Sequence, residues 1–252
     1  MEKESAKTAM QHIKLKDYIL EETANWVAIN KPSGLLSIPD REGKEVSLKS
    51  LLKEKYGNIF IVHRIDKDTS GLILFAKNEI AHKHLTRQFE ERKTKKIYCG
   101  LVMGSLSENN GTINTPIAEH PAQNGTMMVH RKGKEAITDY KVLEDFGIYS
   151  LLQFQIHTGR THQIRVHLKD IGHPIICDPI YGDGKPVLVS SLKKKFNLSK
   201  NEEQERPILG RLALHSFQLS FTDIDGKQME LEASLPKDMR ATLQQLSRWK
   251  KN

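Results

Sequence analysis

The sequence predicts an α+β fold built on a mainly antiparallel sheet. Strand-length apolar runs, rich in β-branched and aromatic residues, dominate the pattern. Helical segments fall between them without the strict alternation that a parallel sheet requires. No internal repeat and no linker composition interrupts the chain. Residues 15–252 therefore read as a single domain behind a flexible lead-in at residues 1–14.

The elements follow in order. Trp26–Ile29 is a short strand, ended by the turn signals of Asn30-Lys31-Pro32-Ser33-Gly34. Ser47–Tyr56 is a helix with Leu48, Leu51 and Leu52 on one side. Leu72–Ala76 is an apolar strand. Residues 79–93 form a helix, because Ala81, Leu85 and Phe89 recur four apart while Lys83, Arg87 and Arg92 lie off that stripe. Lys95–Val102 is a strand and Gly104–Asn114 is rich in turn residues. Ala136–Leu143 and Tyr149–Ile156 are strands, the second alternating Leu152, Phe154 and Ile156 with Gln153 and Gln155. Thr161–Ile171 is a helix capped by Thr158 or Thr161 and stopped by Gly172 and Pro174. Residues 183–207 form an exposed, lysine-bearing loop. Ala213–Phe221 and Met229–Ala233 form a hairpin, and Met239, Leu243 and Leu246 mark a closing amphipathic helix.

Composition bounds the function. Of the 252 residues, 38% are apolar and 28% charged, which suits a soluble globular protein. Lys and Arg number 39 against 31 Asp and Glu, a net charge of +8. A balance of this size serves solubility, or it serves attraction to phosphates. Cys99 and Cys177 are too few for a disulfide framework and read as reduced thiols. The start lacks the apolar core of a signal peptide, and no run approaches membrane-spanning length. A cytoplasmic location is expected.

The segment His63-Arg64-Ile65-Asp66-Lys67-Asp68-Thr69-Ser70-Gly71 carries the strongest chemical signal. It sets a carboxylate directly before an apolar strand. Asp68, Thr69 and Ser70 already supply turn-capping groups, which weakens the reading of Asp66 as a mere turn cap. Between a cation and a buried strand, burial and charge pairing tune a carboxylate for nucleophilic or general-base work. Arg165 follows a run of polar donors, Gly159 to Gln163, at a helix start suited to anions; a solvated surface arginine is the simpler reading of it alone. Tyr98 lies in a strand, where packing is the ordinary role of tyrosine.

Other features carry less. His157, His162, His167 and His173 are clustered, but the helical pair His162 and His167 is five apart, off a common face, so no metal site is expected. Gly182-Asp183-Gly184-Lys185 lacks the length and the Ser/Thr of a P-loop and reads as a turn. The lysine runs at 193–195 and 250–251 read as solvated faces.

Taken together, the segments resemble the RluA family of RNA pseudouridine synthases, collinearly over residues 26–235. Asn30-Lys31-Pro32-Ser33-Gly34 resembles the family's N-K-P-x-G segment, and His63 to Gly71 its H-R-L-D-x-x-T-S-G motif, with Ile65 for leucine. Lys96-Ile97-Tyr98 resembles the K-x-Y strand. Gly159-Arg160-Thr161-His162-Gln163-Ile164-Arg165-Val166-His167 resembles G-R-T-H-Q-I-R-x-H. Gly172-His173-Pro174-Ile175, Asp178-Pro179-Ile180-Tyr181-Gly182 and Leu214-His215-Ser216 resemble later segments. About 25 residues precede the matched region, so the short type without an S4 domain is expected.

The resemblance implies the pseudouridine synthase catalytic fold, with a long bent sheet flanked by helices around a central cleft. It implies isomerisation of a uridine in structured RNA, a ribosomal or transfer RNA stem-loop, with no cofactor and no metal. Asp66 inherits the essential catalytic role, Tyr98 packs on the base, and Arg165 pairs with the catalytic aspartate. Arg64 fills the space of the extruded base, and His63, Thr69, Arg160 and Gln163 complete the substrate-binding set. A monomer is the default expectation. The competing readings are a non-catalytic RNA-binding or folding factor on the same scaffold, and a hydrolase using Asp66. Pseudouridine formation separates the three.

Overall fold

The apolar runs around Trp26 and Leu72 become paired strands because each is long enough to bury both of its faces. The computed structural model describes residues 14–40, 42–193 and 205–249. Residues 1–13 of the lead-in, residues 194–204 of the lysine-bearing loop and the terminal lysines lie outside these residues. A 3-10 turn, Leu15–Asp17, precedes β1 (Ile19–Glu22) and β2 (Trp26–Lys31). α1 (Leu48–Tyr56) starts at Ser47, whose hydroxyl accepts the Ser50 N–H at 3.1 Å. β3 (Phe60–Ile61) and β4 (Ser70–Ala76) follow.

α2 (Glu79–Glu90) is capped by Asn78, which accepts the Ala81 N–H at 2.8 Å. It ends three residues earlier than the periodicity suggests, because Arg92 adopts a positive φ of 57° that a helix cannot continue through. Next come β5 (Lys95–Met103), β6 (Asn110–Asn114), β7 (Ile117–Glu119), β8 (Met127–Val129), β9 (Ile137–Asp145) and β10 (Tyr149–Ile156). α3 (Gln163–Asp170), the short α4 (Val189–Leu192), β11 (Leu214–Thr222), β12 (Gln228–Glu232) and α5 (Lys237–Trp249) complete the order. Among the described residues no helix is long and apolar enough to cross a membrane.

The chain divides into two compact units. One is Met1–Lys96 with Ser216–Ala233; the other is Ile97–His215 with Ser234–Asn252. Two of the three boundaries fall inside β5 and β11, and the third follows Ala233, between β12 and α5.

In the first unit the strand order is β1-β2-β4-β11-β12, with β3 added to the end of β4. The β1–β2, β2–β4, β3–β4 and β11–β12 pairs are antiparallel. Trp26 and Ala28 of β2, Leu72, Leu74 and Ala76 of β4, Ala81 and Leu85 of α2, and Leu219, Phe221, Leu231 and Ala233 form one core. Trp26 meets Phe221 edge-on, with centroids 5.4 Å apart. β4 is buried along its whole length, so a segment leading into it is held from one end.

In the second unit β5, β10, β9 and β6 pair antiparallel in that order. β10 alternates buried and half-buried residues as its sequence predicts. β6, expected as turn, is a strand. Its Gly111 serves packing: a Cβ there would lie 2.8 Å from the Tyr140 ring. The β7–β8 hairpin, with strands too short to show a period, was likewise not foreseen.

Candidate active site

Asp66 sits in the loop between β3 and β4, and the preceding Asn30-to-Ser37 segment builds that loop's support. Lys31 is fully buried, and its ammonium donates to the carbonyls of Pro32 (3.0 Å), Leu35 (2.7 Å) and Lys67 (2.8 Å). The Gly34 N–H also reaches the Lys67 carbonyl at 2.9 Å. Ser33 donates to the Asp68 carbonyl at 2.6 Å. The Ser37 hydroxyl donates to the Ile65 carbonyl (2.7 Å) and accepts the Ile65 N–H (3.3 Å). Both chain neighbours of Asp66 are thus fixed through main-chain atoms. A residue so held loses its conformational freedom at folding, before any substrate arrives.

The ends of the loop are equally constrained. His63 accepts the Leu74 N–H at Nε2 (3.1 Å) and stacks on Phe89 with centroids 4.5 Å apart. Burial, with a smaller contribution from the Lys96 ammonium, pushes its imidazole down to about 3, so the ring is neutral at physiological pH. Ile65 is buried, Arg64 is exposed and Asp66 is half-buried. Thr69 is buried, and its hydroxyl has no hydrogen-bond partner among the described residues. Gly71 has φ +108°, and a Cβ there would lie 2.2 Å from the Ser216 carbonyl oxygen. Only glycine fits where the loop enters β4.

The second unit holds Tyr98, Arg160, Gln163 and Arg165. Tyr98 lies on β5 opposite Phe154, with 8% of its surface exposed. Arg165, on α3, is 2% exposed and grips Asp178 in a bidentate pair, Nε to Oδ2 at 2.7 Å and the second nitrogen to Oδ1 at 2.8 Å. Asp178 also accepts the N–H groups of Ile180 (2.9 Å) and Tyr181 (3.1 Å). Burial alone would raise this carboxyl. The Arg165 hydrogen bonds and charge, with the two backbone donors, outweigh it and hold Asp178 below the ordinary carboxylate value. The Arg165 guanidinium lies 5.0 Å from the Tyr181 ring centroid.

The start of α3 departs from the expected Thr cap. His162 occupies the N-cap position in the left-handed region with no side-chain cap. Thr158 instead accepts the Ile137 N–H at 3.0 Å and donates to Gln163 Oε1 at 2.7 Å. Gln163 Oε1 also accepts the Arg160 N–H (3.0 Å), and Nε2 donates to the Ile137 carbonyl and Thr138 Oγ1, both at 3.0 Å. All four hydrogen-bonding positions of that buried amide are therefore used inside the fold. The chain of bonds continues from Thr138 to His167 Nδ1 and from His167 Nε2 to the Thr115 carbonyl, each 3.0 Å. A carbonyl only accepts, so Nε2 carries the proton. Burial lowers the His167 imidazole below its ordinary value, in keeping with a neutral ring.

The clustered histidines take separate partners. His157 meets Asp139, His162 meets the Tyr181 hydroxyl and His173 meets the Met103 carbonyl.

Residues 25–170 match the family described as RNA pseudouridylate synthase. The chain belongs to that family. A relative from Nitrosomonas europaea, "Ribosomal large subunit pseudouridine synthase D", is 40% identical over 90% of this chain. An "Uncharacterized RNA pseudouridine synthase" of Aquifex aeolicus is 52% identical over 48% of it. The chain spans 64% of the first relative's length and 39% of the second's. Among solved structures, "Human RNA Pseudouridylate Synthase Domain Containing 4" superposes with a TM-score of 0.73 at 26% identity, covering 98% of each chain. These relatives agree with the RluA resemblance of the motifs, and the structural neighbour with the α+β fold.

In this pseudouridylate synthase family member, the residues that support the site are less legible in the sequence than Asp66 itself. Lys31 stands among the turn signals that end β2. Its signal was position: it shares strand parity with the buried Val27 and Ile29. Asp178 opens the Asp178-Pro179-Ile180-Tyr181-Gly182 motif, with no local sign of its role. A buried arginine demands a carboxylate partner, but the distance along the chain hid which one.

Proposed function

We propose that this chain is an RNA pseudouridine synthase acting on a uridine in structured ribosomal RNA. The N-glycosidic bond breaks, the uracil turns, and C5 joins the ribose carbon that N1 left; a proton moves from C5 to N1, so the reaction needs no co-reactant. Asp66 is the essential catalytic residue, Tyr98 packs against the uracil, and Arg165 supplies a fixed positive charge. Arg64, exposed on the Asp66 loop, fills the space of the flipped base, whose extrusion costs a few kcal/mol. Arg160 engages the RNA backbone. His63, Thr69 and Gln163 complete the substrate-binding set, His63 and Gln163 being held in place by their partners within the fold.

The observation that carries this reading is the Asp66 loop, pinned on both sides of the carboxylate by main-chain bonds to Lys31, Ser33, Gly34 and Ser37. Binding alone has no need of one acid fixed so closely. Support for ribosomal RNA comes from the Nitrosomonas relative's name.

The test is carbodiimide mapping of pseudouridine in RNA from cells lacking the gene, rescued with wild type or with Asp66→Asn. Wild type restores the missing site and Asp66→Asn does not, while its RNA affinity stays within about two-fold. Restoration by Asp66→Asn overturns the catalytic assignment. RNA binding with no lost site in the deletion moves the reading to the non-catalytic binding factor.

A further inference from the structure

Between β8 and β9 the chain reads His130-Arg131-Lys132-Gly133-Lys134, and the structure fixes this basic stretch as a rigid turn. The Gly133 N–H donates to the His130 carbonyl at 2.7 Å, and the Lys132 N–H to His130 Nδ1 at 3.3 Å. Ile117 and Lys134 exchange backbone hydrogen bonds of 2.9 and 2.8 Å. A Cβ at Gly133 would lie 2.5 Å from the Ile117 carbonyl carbon, so the turn sits flush on β7. His130, Arg131, Lys132 and Lys134 are all exposed.

Their charges have no internal purpose. Elsewhere on the surface Arg87 pairs with Glu91, Lys67 with Glu45 and Arg211 with Asp238. Among the described residues Arg131, Lys132 and Lys134 have no carboxylate partner. Because His130 Nδ1 accepts a hydrogen bond, its neutral ring carries the proton on Nε2 and still presents a donor. Arg160 joins the same stretch: its Nε donates to the Glu135 carbonyl at 2.8 Å, and its terminal nitrogens have no protein acceptor among the described residues. Like charges gathered on one exposed turn attract a polyanion.

The hairpin behind this turn is tied to the frame of Arg165. The Met127 N–H donates to the Tyr181 hydroxyl at 2.8 Å, and Met127 and Val129 pack on Ile117, Ala136, Val166 and Tyr181.

We infer that the 130–134 turn, together with Arg160, is a phosphate-binding surface that grips the sugar-phosphate backbone of the substrate RNA irrespective of sequence. The inference rests on the reading of the chain as an RNA-acting enzyme and adds to it a binding element. Arg131, Lys132 and Lys134 each neutralise about one phosphate.

The experiment measures binding of the full chain to a fluorescein-labelled transcript of large-subunit ribosomal RNA, by anisotropy across a KCl series. The proteins are wild type, Arg131→Gln/Lys132→Gln/Lys134→Gln, and a control with the same charge removed elsewhere, Lys53→Gln/Lys83→Gln/Lys227→Gln. The turn variant weakens binding roughly ten- to a hundred-fold at about 0.1 M salt, and flattens the log–log salt slope by about two. The control keeps the wild-type slope. An unchanged slope in the turn variant, or an equal loss in the control, overturns the inference. If the triple variant melts early, single Arg131→Gln and Lys132→Gln proteins are read instead, each expected to lower the slope by about 0.7. A wild type that forms no pseudouridine while the turn variant still loses its slope sinks the enzyme reading and leaves the surface standing.

Discussion

Arg165 and Asp178 form a buried bidentate ion pair, closed by two nitrogen–oxygen contacts of 2.7 and 2.8 Å and almost wholly removed from solvent. Removing one partner from such a pair strands the other charge in a medium that solvates it poorly. Asp178→Asn keeps the shape and deletes the charge. It should destabilise the protein by about 3 kcal/mol or more, read as a lowered urea midpoint at unchanged m-value. A midpoint equal to wild type would mean that Arg165 does not depend on the Asp178 charge.

Lys31→Met should act on the Asp66 loop more than on the core. The methionine fills the stem's volume but leaves the carbonyls of Pro32, Leu35 and Lys67 without their shared donor, at about 1–3 kcal/mol for a buried polar group left unmet. Amide hydrogen exchange at residues 65–68 should accelerate well beyond that of β10. Uniform acceleration across the chain would instead assign Lys31 to global stability.

Gly71→Ala should prevent normal folding, since the new methyl group collides with the Ser216 backbone at a φ that alanine avoids. The expected loss is at least about 3 kcal/mol. Soluble protein with a wild-type melting curve would contradict the packing described for β4 and β11.

Thr69→Val addresses an orphaned hydroxyl. Replacing a buried, unpartnered oxygen by a methyl group of the same shape removes a desolvation cost, so stability should hold or rise by up to about 1 kcal/mol. A clear loss in differential scanning calorimetry would reveal a partner for that oxygen.

Stability should decline in mild acid through His63 and His167. Both rings are neutral when folded. The unfolded chain takes up their protons near pH 6.5, whereas folded His63 does so only near about 3 and folded His167 below its ordinary value. Between those limits the unfolded state holds more protons, so each step down in pH favours unfolding. Urea midpoints of wild type should fall between pH 7 and pH 5, and those of His63→Gln should fall less. Parallel curves would exclude His63 as a contributor.

The sequence showed some parts of this architecture more plainly than others, for physical reasons. β10 was legible because alternation of Leu152, Phe154 and Ile156 maps directly onto one buried face. β4 was legible because an unbroken apolar run has nowhere to go but a core. The β7–β8 hairpin was not, since three-residue strands carry no period. Asp66 stood out because its neighbours already met the needs of a turn. What held it did not, because Lys31, Ser33 and Ser37 act through carbonyl and amide groups that every residue possesses, and side-chain identity says nothing of which backbone atom will be met.

The chain passes from one compact unit to the other inside β5 and again inside β11, and returns after Ala233. Neither unit is a continuous stretch of polypeptide. A ribosome that stalls after residue 215 has made neither unit whole, because residues 216–233 belong to the first and 234–252 to the second. Shortened versions of the gene should therefore yield no half-protein with a finished core, and folding is committed only when the last hairpin and helix have been synthesised.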